Sequence, residues 1–173
     1  MSKIVFITGG ARSGKSSFAL KLAKAEKGVR VAFVATCQAL DNEMKERIRR
    51  HKRSRPSSWK TFEAPLDLAP VLKKAIFRHP VIIVDCLTLM VSNLMMREEK
   101  EKRITARFRK ALQVLKKSDS LVIIVSNEVG LGIVPENGLA REFRDIAGRI
   151  NQIAAQEAEA VYFTVSGIPW RIK

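Results

Sequence analysis

A three-layer α/β fold with a central, mostly parallel sheet is what this chain predicts, and three observations lead there. Five apolar, β-branched runs are spaced along its 173 residues. They are continuous rather than alternating, which is the pattern of strands covered on both faces. Segments of helical spacing lie between them, and strands alternating with helices build a parallel sheet through right-handed crossovers.

The elements follow in order. A strand over residues 3–8 enters a glycine-rich turn, and Phe18, Leu20, Leu22 and Ala23 give residues 16–26 an apolar side. The second strand covers 29–36. Asp41 is placed to N-cap a helix running through Met44 and Ile48 to His51, its carboxylate accepting from a first-turn N–H. A helix over 66–77 precedes the third strand, 81–85, and a long basic helical segment covers 87–117. The fourth strand, 121–126, leads to a helix over 139–157, where Phe143, Ile146, Ile150 and Ile153 recur at spacings of three and four. The fifth strand is 161–166, and residues 53–58 and 134–138 read as turn-rich loops. With no internal repeat, low-complexity tract or Pro/Gly/Ser linker, residues 1–173 are expected to form one domain with a full core.

Composition narrows the class. Apolar residues at 46% and charged residues at 28% are ordinary for a globular protein. No apolar run reaches the length of a membrane span. Met1-Ser2-Lys3 leads straight into the first strand, too short and wrongly flanked for a signal peptide. A cytoplasmic protein without membrane insertion is expected. Cys37 and Cys86 each follow an apolar run and are expected as two buried thiols rather than a disulfide. The net charge of +15 raises the possibility of a basic nucleic-acid-binding ATPase. Aromatics are only 6%, however, and no stacking cluster or nucleic-acid module is present. The basic residues spread over several amphipathic segments and read as solvated helix faces, so no nucleic-acid partner is expected.

In open α/β sheets ligands gather beyond the carboxyl ends of the strands. That rule makes residues 9–16, 35–38, 85–88, 126–132 and 166–169 the rim of one site. The first of these is Gly9-Gly10-Ala11-Arg12-Ser13-Gly14-Lys15-Ser16, a G-x-x-x-x-G-K-S phosphate loop between strand and helix. Glycines let the backbone curl so that its N–H groups converge on phosphate oxygens, and the helix N-terminus adds positive potential. Lys15 is expected on the β/γ-phosphates and the Ser16 hydroxyl on Mg²⁺. The pattern arises by chance in about one chain in a hundred of this length, and the flanking strand and helix make chance rarer. The chain is therefore expected to have a P-loop NTPase (RecA-like) fold. Asp85 ends an apolar strand, the Walker-B arrangement in which the acid holds Mg²⁺; capping the next helix is its other reading.

His51 lies within Arg47-Ile48-Arg49-Arg50-His51-Lys52-Arg53-Ser54-Arg55-Pro56. A lone histidine is more often structural. Among this many cations, though, it gains nothing by being charged, so it is expected to keep a lone pair for attack while its neighbours stabilise phosphate charge. His79, between Arg78 and Pro80, reads as structural. Residues 126–137, a strand end with two glycines and two acid/amide pairs, read as a site loop of unnamed ligand.

Together these residues resemble the bifunctional adenosylcobinamide kinase / adenosylcobinamide-phosphate guanylyltransferase family of cobalamin biosynthesis. The resemblance runs from the phosphate loop through Ala35-Thr36, Arg47-Ile48, His51-Lys52 with Arg55-Pro56, and Asp85-Cys86-Leu87-Thr88. It continues in Asn127-Glu128-Val129-Gly130, Pro135-Glu136-Asn137, Phe143-Arg144-Asp145, Gly148-Arg149, Asn151-Gln152 and Ser166-Gly167-Ile168-Pro169. It implies phosphorylation of adenosylcobinamide by a nucleoside triphosphate, ATP or GTP. A second step then transfers GMP from GTP to that phosphate through a guanylylated histidine, which the R-I-x-x-H spacing puts at His51. It implies nucleotide contacts at Gly9 to Ser16, at Ala35, Thr36 and Cys37, at Lys52, Arg53, Ser54 and Arg55, and at Glu63 and Asp85. A homo-oligomer, specifically a homotrimer, is also implied. The chain departs from the family pattern at Arg50, where some members have a second histidine, and at Met90, where many carry an aromatic. A simple P-loop small-metabolite kinase is the alternative; it would need no histidine nucleophile.

Overall fold

The computed structural model describes residues 3–39 and 41–173, with the side chain of Arg47 outside that description. Seven strands form one sheet, ordered β3-β2-β4-β5-β1-β6-β7. The five expected strands are β1 (Lys3–Gly9), β2 (Val31–Ala35), β4 (Val81–Asp85), β5 (Leu121–Val125) and β6 (Ala160–Val165). They pair in parallel throughout, with β1 between β5 and β6. Two further strands, β3 (Lys60–Glu63) and β7 (Ile168–Arg171), take the edges, β3 parallel to β2 and β7 antiparallel to β6.

Strand side chains alternate between two apolar layers, as a sheet covered on both faces requires. Val5, Ile7, Phe33, Ile83 and Ile123 pack with Ala19 and Ala23 of α1 (Lys15–Ala25). Ile4, Phe6, Val34, Ile82 and Ile124 pack against α3 (Leu68–Ala75), α4 (Leu87–Met95), α5 (Glu101–Leu115) and α6 (Gly138–Glu157). Met90, where an aromatic is common in the resembled family, is buried in this second layer. The remaining helix, α2 (Asn42–Arg53), is different. None of its described side chains is buried, and only Met44 and Ile48 are half-covered. Its N-cap is Asp41, whose carboxylate accepts from the Met44 amide at 2.7 Å.

The expected helix over 87–117 divides in two. Leu94 and Met95 carbonyls accept from the Glu99 and Glu98 amides, and Glu98 turns left-handed at φ 60°. Arg107 of α5 then grips Glu99 through Nε and Nη2 at 2.9 and 2.8 Å. That charge-assisted pair holds the corner.

Candidate functional site: a phosphate loop beside a histidine-bearing helix

The loop between β1 and α1 is held from both sides. Gly9 has φ +147°, and a Cβ there would meet the Thr164 carbonyl oxygen of β6 at 2.3 Å. Gly14, the N-cap of α1, has φ +96° and lies against the Cα of Gly167. The Gly167 amide donates to the Ser13 carbonyl at 2.9 Å, and the Glu128 amide donates to the Gly9 carbonyl at 2.9 Å. Only glycine combines the positive φ with this approach of backbone to backbone. Ala11 and Arg12 form the exposed crest of the loop beside the half-buried Gly10, Arg12 at φ 56°.

Lys15 is buried, and its ammonium donates into the loop at the Gly10 carbonyl, 2.5 Å, with the Ser13 hydroxyl at 3.5 Å. The Ser16 hydroxyl donates to the Asp85 carboxylate at 2.9 Å, joining the loop to the end of β4. Burial pushes the Asp85 carboxyl above the ordinary carboxylate range. The Ser16 hydrogen bond and the charges of His51, Lys15 and Arg55 pull the other way. Asp85 does not cap α4 with its side chain; the N-cap is Cys86.

His51 lies in the last turn of α2, exposed. Its carbonyl is held twice, by the Ser54 hydroxyl at 3.0 Å and by Arg55 Nε at 2.9 Å. The Arg55 guanidinium lies 3.8 Å from the centroid of Phe33 on β2 and reaches the Thr61 hydroxyl of β3 at 3.5 Å. Burial pulls its pKa down while Asp85 raises it. Arg55 is thus the clamp that fixes the end of α2 to the sheet, a stacked use to which a planar guanidinium is suited. Lys52 ion-pairs with Glu63, at the end of β3, at 3.9 Å, and Arg50, Arg53 and Ser54 are exposed beside it.

The other rim residues are tied into a polar belt. Thr36 is fully buried; its hydroxyl donates to the Cys86 carbonyl at 2.7 Å and accepts from the Cys86 amide at 2.8 Å. This hydroxyl holds the turn after Asp85 and has no hydrogen left for a ligand. Thr88 receives both the amide and the side-chain N–H of Asn127, and Asn151 donates to the Asn127 carbonyl at 3.0 Å. Asn93 donates to the Thr36 and Pro65 carbonyls at 2.8 and 2.9 Å. Sequence reasoning passed over Asn93, although a lone amide within Leu87-Thr88-Leu89-Met90-Val91-Ser92-Asn93-Leu94 was its signal. The two cysteines are not joined in a disulfide: Cys37 is half-buried, and Cys86 is buried with its pKa pushed up to about 11. His79 is structural, with Nδ1 at 3.1 Å from the Ala75 carbonyl and the ring edge-on to Phe62.

Residues 5–172 match the profile of the cobinamide kinase / cobinamide phosphate guanyltransferase family. A bifunctional adenosylcobalamin biosynthesis protein of Pseudomonas aeruginosa, CobP, is 43% identical over 96% of this chain and 95% of its own. The CobU proteins of Escherichia coli and Salmonella typhimurium, given the same description, are 39% and 41% identical over 98% of this chain and 99% of theirs. Among solved structures, the flagellar accessory protein FlaH of Methanocaldococcus jannaschii superposes with a TM-score of 0.56 at 17% identity. That match covers 99% of this chain and 78% of FlaH, and it supports the layered fold alone.

Proposed function

The chain belongs to the cobinamide kinase / cobinamide phosphate guanyltransferase family of cobalamin biosynthesis, and we propose that a single phosphate site serves both of its reactions. The observation that carries this reading is the Ser16–Asp85 hydrogen bond, which joins the loop to the acid at the end of β4 beside the buried Lys15.

In the kinase step, the loop amides and Lys15 hold the triphosphate of ATP or GTP. The aminopropanol hydroxyl of adenosylcobinamide attacks the γ-phosphorus, and the nucleoside diphosphate leaves. In the second step an imidazole nitrogen of His51 attacks the α-phosphorus of GTP. The bond to pyrophosphate breaks, leaving a phosphoramidate. The phosphate of adenosylcobinamide phosphate then attacks that phosphorus, giving adenosylcobinamide-GDP and freeing His51. Arg50, Lys52, Arg53 and Arg55 stabilise the charge on the phosphorus oxygens in both halves. Ala35, Cys37, Ser54 and Glu63 are the proposed contacts of the nucleotide's far end.

Ser16 and Asp85 offer a hydroxyl and a carboxylate 2.9 Å apart. Two hard oxygens at a phosphate loop suit Mg²⁺, which takes its other ligands from phosphate and water. Bound there, the ion would neutralise charge on the β- and γ-oxygens. We further propose a cytoplasmic homotrimer. Support comes from apolar side chains exposed on the rim, among them Leu131, Ile133, Ile168 and Trp170; light scattering giving the mass of three chains would agree.

Lys15→Ala tests the shared site. Both activities should fall by a factor on the order of 10²–10³, the scale of one lost preorganised charge contact. Guanylyl transfer at the wild-type rate in a folded Lys15→Ala protein would mean that the two reactions use different phosphate sites.

A further inference from the structure

The sheet edge opposite the phosphate loop carries a hollow of about 810 Å³. Arg30 immediately precedes β2 and Arg78 lies just before β4, so the hollow sits at the starts of the strands whose ends carry Ala35 and Asp85. Four cations line it (Arg30, Lys60, Lys74 and Arg78), with Phe62 and Phe77 as apolar walls and no carboxylate. A smaller hollow of about 320 Å³ continues past Arg30, Phe77 and Arg78 towards Asp119.

What marks this place is that four cations share one concavity with no carboxylate on its wall, whereas Arg49, Lys52, Arg107 and Arg149 face Glu46, Glu63, Glu99 and Glu101. Among the described residues, none of the four cations around the hollow is in an ion pair. Like charges converging on one concavity raise the local potential and favour a multivalent anion. Phe77, 84% exposed, would need no explanation alone. At the mouth of a cationic hollow its ring offers a flat apolar face to a planar group. The volume falls within the range of small-ligand pockets.

We infer that this hollow binds a nucleoside polyphosphate, its phosphates among Arg30, Lys60, Lys74 and Arg78 and its base against Phe77. The site is separate from the phosphate loop and independent of the two-step reaction. The test uses the full chain carrying Lys15→Ala, so that affinity at the phosphate loop is suppressed. Titration with a fluorescent N-methylanthraniloyl GTP should show one saturable equivalent. Adding Lys74→Glu and Arg78→Glu should weaken binding at least tenfold. Phe77→Ala should weaken it several-fold, and raising salt should weaken it further. Lys60→Glu on the exposed edge strand is an independent charge reversal if the double change unfolds the chain, which circular dichroism reports. In an otherwise wild-type chain these reversals should leave kinase activity unchanged. No saturable binding to Lys15→Ala, or binding indifferent to the charge reversals, would overturn the site. Inorganic tripolyphosphate binding as tightly as the nucleotide, with Phe77→Ala neutral, would overturn the nucleotide assignment.

Discussion

Asp85 illustrates how a residue can work against the fold it sits in. Its carboxyl is held above its ordinary pKa, chiefly by burial. The folded chain therefore keeps this proton to higher pH than the unfolded chain does. By linkage, the residue's contribution to stability falls as pH rises from the ordinary carboxylate range through the raised value. Asp85→Asn removes that penalty and can still accept from Ser16. At neutral pH the ligand-free variant should melt no lower than wild type, while Mg²⁺-dependent turnover drops by a factor on the order of 10². A large loss of melting temperature, or an unchanged metal dependence, would make Asp85 a structural residue. The loop glycines divide in the same concrete way. Gly9→Ala drives a Cβ into the Thr164 carbonyl and should cost about 1–3 kcal/mol by thermal melting. Gly10→Ala meets nothing within 4 Å and should be close to neutral.

At the level of elements, continuous apolar runs with turn residues after them were readable, and β1, β2, β4, β5 and β6 lie within two residues of expectation. β3 was missed because Lys60-Thr61-Phe62-Glu63 is four residues on an exposed edge, with only Phe62 apolar. β7 was missed because Pro169 argues against a strand; the edge position tolerates it. Its hairpin turns at Ser166 and Gly167, φ 50° and 83°, a pair of positive φ values suited to a two-residue turn. The break between α4 and α5 was hidden because Arg97-Glu98-Glu99-Lys100 are all good helix formers. Tertiary contact decides there. Arg107 lowers the Glu99 carboxyl below its ordinary range, so the pair stabilises the fold above that range and loses its effect as pH falls through the lowered value. Glu99→Gln should cost about 1–2 kcal/mol at neutral pH, allowing for the partial exposure of Arg107. Denaturant melts should show that gap closing on acidification; a gap independent of pH would remove the ion pair from the account.

At the scale of the whole molecule, the glycine-rich loop after β1 and the acid at the end of β4 were legible because each is local in sequence. The arrangement around them was not. Nothing in the order of residues says that Arg55 crosses to Phe33, or that Thr36 commits its hydroxyl to Cys86. The proposed site has three parts: the loop after β1, the half-buried acid at the end of β4, and the exposed histidine in the last turn of α2. We propose that these act together on one nucleotide, with His51 as the covalent carrier. The most direct measurement is incubation with α-labelled GTP and Mg²⁺, followed by peptide mapping of the label. One acid-labile, base-stable label on His51 is expected, absent in His51→Ala, which loses guanylyl transfer but keeps kinase activity. Label on Lys52 or His79, or full guanylyl transfer by His51→Ala, would contradict it.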